Sequence, residues 1–170
     1  MKKTLIIGTI QEECLEYVKE LPKGNENYDI LSTKSQFSGS ALKAAQVWQR
    51  FGFPFTLIAP IGQGIVGDHL ADYMAKNELY AQRIEGIHGT STLLVDQHDN
   101  ATRIYAPGVE YNISNNLFLT IEPNEFDCVL LFGDALISQD AFDVIDLLAE
   151  IDKDIFFAPG HYFKQLITKF

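Results

Sequence analysis

The sequence predicts an α/β protein with a mainly parallel sheet flanked by helices and a small second β-sheet. First, several short runs are almost wholly apolar, which is typical of strands buried on both faces: residues 4–10, 56–59, 128–132 and 155–158. Second, segments with helical periodicity separate these runs, as in strand–helix–strand units. Third, the β-forming stretches within 11–37 and 90–106 are more polar, so they predict a separate small sheet inserted between the core elements.

The N-terminal elements follow from their composition. Thr4–Ile10 is predicted as the first buried strand. Gln11–Val18 fits a strand or a helix, and the pattern does not decide between them. Leu21–Asn25 is predicted as a loop because it contains proline and glycine. Tyr28–Phe37 mixes β-forming and polar residues, which favours an exposed strand.

An enclosed helix is predicted over Ala41–Phe51, since apolar residues cover most of its surface. Ser40 is the expected N-cap, because its hydroxyl can accept a hydrogen bond from a free backbone N–H. Gly52 stands where a left-handed residue commonly ends a helix. A buried strand, Thr56–Ala59, and a second helix, Asp68–Asn77, are expected next.

The remaining elements continue the same alternation. Thr92–Val95 and Arg103–Ala106 flank a polar turn and predict a β-hairpin. Cys128–Phe132 is a further buried strand, and Asp140–Glu150 has the apolar stripe of an amphipathic helix. Ile155–Ala158 is the last predicted strand.

Composition bounds the class of protein. The 170 residues fit a single domain, residues 1–170, and 46% hydrophobic residues indicate a globular chain. The formal charge of −10 repels phosphate backbones and anionic membrane surfaces, so neither nucleic acid nor a membrane is an expected partner. Cys14 and Cys128 stand alone, which favours a reducing compartment. No signal-peptide core or membrane-length stretch is found, so the cytoplasm is the expected location.

Gly62, Gly64 and Gly67 form a G-x-G-x-x-G pattern after a strand. This pattern is typical of dinucleotide-binding turns, and Glu85 lies at a plausible distance for a ribose contact. In such folds, however, the pattern normally follows the first strand, which here leads into Gln11 instead. A tight turn with close helix packing is therefore the favoured interpretation.

The order of these elements resembles the first signature of the PfkB family, the ribokinase-like sugar and nucleoside kinases. That signature is a Gly-Gly turn, a helix ending in Leu-Gly, a strand and a second Gly-rich turn. Ser38-Gly39, Phe51-Gly52 and residues 61–67 stand at the corresponding places. The hairpin at 92–106 resembles the lid hairpin of the family, and the likeness covers about residues 3–159.

The resemblance implies a ribokinase-like, Rossmann-like sheet with a β-sheet lid built from segments 11–37 and 90–106, and without the C-terminal part of the family fold. For a complete family member it implies ATP-dependent phosphorylation of a sugar or nucleoside hydroxymethyl group, with Mg²⁺, and a homodimer formed through the lid. The family's catalytic Gly-Ala-Gly-Asp does not occur in residues 1–170, so no catalytic or metal-binding residue is predicted here. The alternative is a non-catalytic ligand-binding or interaction protein on the same scaffold.

The resemblance also implies substrate-binding residues after the first strand, at the turn before the enclosed helix, and around the lid hairpin: Gln11, Glu13, Ser38, Gly39, Lys43, Arg103 and Glu110. Ligands of open α/β sheets bind beyond the carboxyl ends of strands, and Gln11 and Glu13 follow the first strand at that end. Each prediction has a structural alternative. The acidic segment after the first strand can be a solvated loop, the glycine turn an ordinary turn, and Arg103 an exposed strand residue.

Lys43 replaces an asparagine of the family pattern. In the first turn of a helix, a cation opposes the helix dipole, at a cost of roughly 0.3–1 kcal/mol. Glu13 or Glu110 would offset this cost from within the protein, and an anionic group on a ligand would offset it from outside. Otherwise the Lys43 side chain simply extends into water.

Overall fold

The main sheet, sheet A, has four parallel strands, which lie side by side in the order Asp154–Ala158, Cys128–Phe132, Thr4–Ile7 and Phe55–Ile58. The protein is described by a computed structural model over residues 3–25, 27–119, 121–138 and 141–169. The strands of sheet A are β1 (Thr4–Ile7), β4 (Phe55–Ile58), β9 (Cys128–Phe132) and β10 (Asp154–Ala158). Each predicted apolar run supplies one of them, which confirms the mainly parallel sheet. The prediction that residues 155–158 are buried is wrong, because β10 lies at the edge of sheet A and its apolar side chains are exposed.

Alternate side chains of β1 point to opposite faces of sheet A, and they are apolar on both faces. Helices therefore cover both faces. Leu5 and Ile7 pack in one buried cluster with Val144, and Ile6 packs in the other with Leu42. The helices of the chain are α1 (Ser40–Arg50), α2 (Gly64–Lys76), α3 (Ala141–Glu150) and α4 (Phe163–Lys169). Over the described residues, none of the helices is long and apolar enough to cross a membrane.

The more polar segments form a second four-stranded sheet, which we call the lid sheet. Its strands, in the spatial order β3-β2-β7-β8, are β2 (Gln11–Val18), β3 (Ile30–Ser38), β7 (Thr90–Val95) and β8 (Ala101–Ala106). β2 and β7 are parallel, whereas the outer pairs are antiparallel. The ambiguous segment Gln11–Val18 is therefore a strand, and the predicted small sheet and hairpin are confirmed.

The Gly-rich segment joins a short strand to α2. β5 (Ile61–Gln63) pairs in parallel with β6 (Arg83–Ile87), a strand that the sequence analysis did not predict. α2 begins at Gly64, four residues before the predicted start. A Cβ on Gly62 would lie 2.6 Å from the backbone nitrogen of His88, and one on Gly67 would overlap the Gly62 carbonyl. These contacts support the interpretation as a tight turn with close packing.

Several predicted boundaries differ from the structure. β1 ends at Ile7 rather than Ile10, because the chain turns there toward the lid sheet. Gly39, not Ser40, is the N-cap of α1, and no side chain caps that helix. Gly52 has a φ of 67°, which confirms the predicted left-handed end. α3 begins at Ala141, since residue 140 of the predicted helix lies outside the described residues.

Candidate functional site

A cavity of about 180 Å³ lies between the lid sheet and the carboxyl ends of three neighbouring strands of sheet A. Ligands of open α/β sheets bind at this end of the strands. The cavity is lined by residues that follow β1, β9 and β10, by the start of α1, and by the inner face of the lid: Thr9, Gln11, Glu13, Ser38, Gly39, Ser40, Lys43, Arg103, Tyr105, Tyr111, Phe132, Gly133, Asp134, Ala158, Pro159, Gly160, His161 and Tyr162. Six of the seven predicted site residues are among them.

The floor of the cavity contains a buried carboxylate. Asp134 follows β9, and its Oδ2 accepts hydrogen bonds from Thr9 Oγ1 at 2.7 Å and from Ser40 Oγ at 2.5 Å. Burial raises the pKa of Asp134, and the two hydroxyl donors offset part of this rise. Ser40 thus directs its hydroxyl into the site, which is the physical reason why it does not cap α1. The cluster ties β1, β9 and α1 together beneath the cavity.

The roof of the cavity is organised around Glu13, whose side chain is buried. Strand pairing places Gln36, Glu13 and Ser91 side by side across three lid strands. Arg103 Nε donates to Glu13 Oε1 over 2.7 Å, and Gln36 Nε2 donates to Glu13 Oε2 over 2.8 Å. Ser91 Oγ donates a longer bond of 3.4 Å to Oε1. The ion pair fixes Arg103 toward the cavity, although its side chain stays 38% exposed.

Aromatic side chains form one side of the cavity. The rings of Tyr105 and His161 lie nearly parallel, at 7° with centroids 6.4 Å apart, and His161 is 3.9 Å from the ring of Tyr162. Gln11 Nε2 donates to the hydroxyl of Tyr111 over 2.7 Å, and this hydroxyl is 3.4 Å from that of Tyr162. These contacts connect the lid with the loop that follows β10.

Ser38, Gly39 and Lys43 line the cavity where the lid passes into α1. Gly39 has a φ of 107°, and a Cβ there would be 2.5 Å from the carbonyl oxygen of Thr9. The turn therefore requires glycine at this position. Lys43 is exposed and forms no ion pair with any carboxylate in the described ranges.

Glu110, the seventh predicted residue, does not line this cavity. It is buried, and its carboxylate accepts hydrogen bonds from Gly89 N at 2.8 Å and Gly108 N at 3.1 Å. These glycines flank the hairpin at the point where it leaves the α/β core, which we call the lid hinge. Since Glu110 is bonded there and Glu13 is bonded to Arg103, neither carboxylate offsets the charge of Lys43.

A buried histidine adjoins the lid hinge. Gly62 N donates to Nδ1 of His88 over 3.1 Å, so this nitrogen acts as an acceptor. Burial lowers the pKa of His88, and the nearby Glu110 carboxylate offsets part of that fall. The His88 imidazole is therefore neutral at neutral pH, and it lies near the Glu110 carboxylate of the lid hinge.

Several residues that line the cavity were not among the predicted substrate-binding residues, notably Thr9, Asp134, Tyr105 and His161. Their positions carried a usable signal. Thr9 and Asp134 each stand two residues after a strand of sheet A, at the end where ligands bind. Tyr105 lies two residues beyond Arg103 on β8, so both side chains share one face of the lid.

No family model matches the sequence, and no curated protein matches it significantly. Solved structures match its fold at high probability. A ribokinase from Giardia lamblia has a TM-score of 0.82 and 16% identity, over 95% of this chain and 52% of that chain. This chain has the ribokinase-like fold.

Two further ribokinase-like structures were solved with ligands. A nucleoside kinase from Burkholderia thailandensis, in complex with inosine, has a TM-score of 0.72 and 16% identity, over 93% of this chain and 51% of that chain. A ribokinase from Cryptococcus neoformans var. grubii, in complex with ADP, has a TM-score of 0.70 and 11% identity, over 94% of this chain and 50% of that chain. The chain spans about half the length of these structures, in agreement with a likeness to the N-terminal portion of the ribokinase-like fold.

The ribokinase-like resemblance implies Mg²⁺, which requires several oxygen ligands that converge on one point. Over the described ranges, no group of three or more His, Cys, Asp and Glu side chains is arranged to hold a metal ion. Within the cavity, Glu13 is bonded to Arg103 and Asp134 to two hydroxyls. The described residues of this chain therefore do not form a Mg²⁺ site by themselves.

Proposed function

We propose that this chain is the substrate-binding and lid portion of a sugar or nucleoside kinase. In the complete protein, the reaction is ATP-dependent phosphorylation of a hydroxymethyl group, with Mg²⁺, in the cytoplasm. The observation that carries this proposal is the cavity, which places Gln11, Glu13, Ser38, Gly39, Lys43 and Arg103 around one space at the carboxyl ends of parallel strands.

The edge of sheet A also supports a complete protein that is larger than this chain. β10 is the edge strand, and Ile155, Phe156 and Phe157 are 43%, 60% and 47% exposed. Apolar edge strands are normally covered, because their free backbone groups and side chains promote association. In the proposed complete kinase, further sheet and helix cover this edge and supply the catalytic Gly-Ala-Gly-Asp.

A second candidate is a non-catalytic ligand-binding protein on the same scaffold. Three changes from the family pattern favour it: Ser38 in place of glycine, Lys43 in place of asparagine and Gly64 in place of aspartate. Both candidates use the same cavity for a small molecule. They differ in whether ATP turnover accompanies binding.

Calorimetry with ribose and with ribonucleosides on the 170-residue chain tests the proposed site, and we expect binding without ATP turnover by this chain alone. ATP turnover by the complete protein separates the two candidates, because only a kinase couples binding to turnover. Glu13→Ala removes the acceptor that holds Arg103 and Gln36, so affinity should fall about tenfold or more. Glu16→Ala is the matched control, because Glu16 lies on the same strand but on the opposite face. Equal losses in both variants, or no binding of any sugar or nucleoside, would contradict the proposed site.

We also propose a homodimer formed through the lid sheet. β3 and β8 are its edge strands, and they carry exposed apolar side chains at Ile30, Leu31 and Ile104. Sedimentation at micromolar concentration should show a dimer, and Leu31→Lys should shift it toward monomer through charge repulsion at the edge. A wild-type chain that stays monomeric at high concentration would exclude this contact.

A further inference from the structure

We propose that the ligand of this cavity is a nucleoside rather than a free sugar, with its base stacked on the aromatic side of the cavity. We call this side, formed by Tyr105, His161 and Tyr162, the aromatic wall. The inference rests on the proposed function, because it names the substrate class of the same site. It goes beyond that function in assigning the flat faces of three aromatic rings a role in stacking on a base.

The aromatic wall is built from two different parts of the fold. Tyr105 comes from β8 of the lid, whereas His161 and Tyr162 come from the loop that follows β10. Tyr105 and His161 lie within 7° of parallel, and His161 and Tyr162 are tilted by 38°. All three residues line the cavity, and the rings of Tyr105 and His161 are nearly parallel. His161 is exposed and Tyr105 is half-buried, so aromatic surface remains open to a ligand.

Most charged and hydroxyl groups of the cavity lie on two other sides, its roof and its floor. Glu13 and Arg103 form the roof, while Asp134 binds the hydroxyls of Ser40 and Thr9 at the floor. Charged and hydroxyl groups are suited to the hydroxyls of a ribose ring. Aromatic faces are suited to a planar base, which stacks whatever its hydrogen-bonding edge. A nucleoside matches both regions, whereas a free sugar leaves the aromatic wall uncovered.

The size of the cavity agrees with this division. Its volume of about 180 Å³ is below the roughly 300–1,000 Å³ typical of pockets that enclose a drug-sized ligand. A ribose ring therefore occupies the polar part of the cavity, between its roof and its floor. The base extends from it along the aromatic wall, where the Arg103 guanidinium also lies 5.9 Å from the ring of Tyr105.

Calorimetry on the full chain with adenosine, inosine, ribose and ribonate tests the inference. Stacking of one base on aromatic side chains is expected to make both nucleosides bind about tenfold tighter than ribose, or more. Tyr105→Leu should lower the nucleoside affinity about tenfold and reduce this preference over ribose. Tyr105→Phe keeps the ring and should keep the preference. Tyr80→Leu, which removes an exposed tyrosine outside the cavity, should change neither affinity.

His161→Leu provides an independent second variant, because His161 follows β10 and lies outside the lid hairpin. Circular dichroism of each variant establishes that the fold is kept. Ribose that binds as tightly as the nucleosides, or ribonate that binds more tightly than either, would overturn the inference and leave the proposed function standing. A chain that binds none of the four ligands would contradict the inference and the proposed function together.

Discussion

Replacing Gly39 by alanine is expected to lower the free energy of unfolding by about 3 kcal/mol or more. Two costs act at once. The φ of 107° lies in a region that side chains with a Cβ rarely adopt, and the new Cβ would be 2.5 Å from the Thr9 carbonyl oxygen and 2.7 Å from Ile10 Cα. Both neighbours are backbone atoms, so no side-chain rotation relieves the contact. Urea unfolding followed by circular dichroism measures the change.

Gly52→Ala is the matched control for Gly39→Ala. Gly52 also has a positive φ, of 67°, but a Cβ there would meet nothing within 4 Å. Its replacement should therefore cost only the conformational penalty, about 1 kcal/mol. Ligand affinity should fall in Gly39→Ala, since Gly39 lines the cavity, and should be unchanged in Gly52→Ala. Equal destabilisation of the two variants would show that close backbone packing at Gly39 is unimportant.

The hydrophobic pattern predicted the strands of sheet A well because each is a short and almost wholly apolar run, although the apolar side chains of β10 are exposed at the sheet edge. The apolar runs that became β1, β4, β9 and β10 have few polar residues to mislead the interpretation. β6 was missed because its sequence, Arg83–Ile87, is short, half-exposed and interrupted by glycine. The segment Gln11–Val18 stayed ambiguous, since its strand identity depends on pairing with β3 and β7, which are remote in sequence.

The site was less predictable, since its chemistry depends on which strands are neighbours. Thr9, Ser40 and Asp134 are far apart in the sequence, and only the order of sheet A brings them to one carboxylate. Ser40 shows the limit of local rules. Its position before an apolar helix favours an N-cap, but α1 already begins at Ser40, and the Ser40 hydroxyl donates a hydrogen bond to the buried Asp134 carboxylate.

Glu110 differs from the other predicted site residues, because its hydrogen bonds fit a structural role that its position in the sequence did not reveal. It follows the lid hairpin, as the resemblance implied, yet its carboxylate is bonded to two backbone N–H groups of the lid hinge. Gly89 and Gly108 pass so close to each other that a Cβ on either would overlap backbone atoms of the crossing strand. The two glycines allow the two backbone segments of the lid hinge to approach closely, and the Glu110 carboxylate accepts hydrogen bonds from both of their N–H groups.

Glu110→Ala is therefore expected to lower the free energy of unfolding by about 3 kcal/mol, since it leaves the N–H groups of Gly89 and Gly108 without their acceptor in the protein interior. Urea unfolding should show the loss. Amide hydrogen exchange should locate it, with lost protection at these two glycines exceeding the loss in sheet A.

Two further variants separate the hinge bonds from the charge of Glu110. Glu110→Gln keeps one acceptor oxygen but places an amide NH₂ toward the second N–H, so it should recover only part of the stability. Glu85→Ala removes an exposed carboxylate from β6 on the approach to the same hinge and should change stability by less than about 0.5 kcal/mol. If Glu110→Ala kept full stability and lost only ligand affinity, Glu110 would act on the ligand as the resemblance implied. Loss of stability with protection lost at Gly89 and Gly108 would instead establish that it joins the lid to the α/β core.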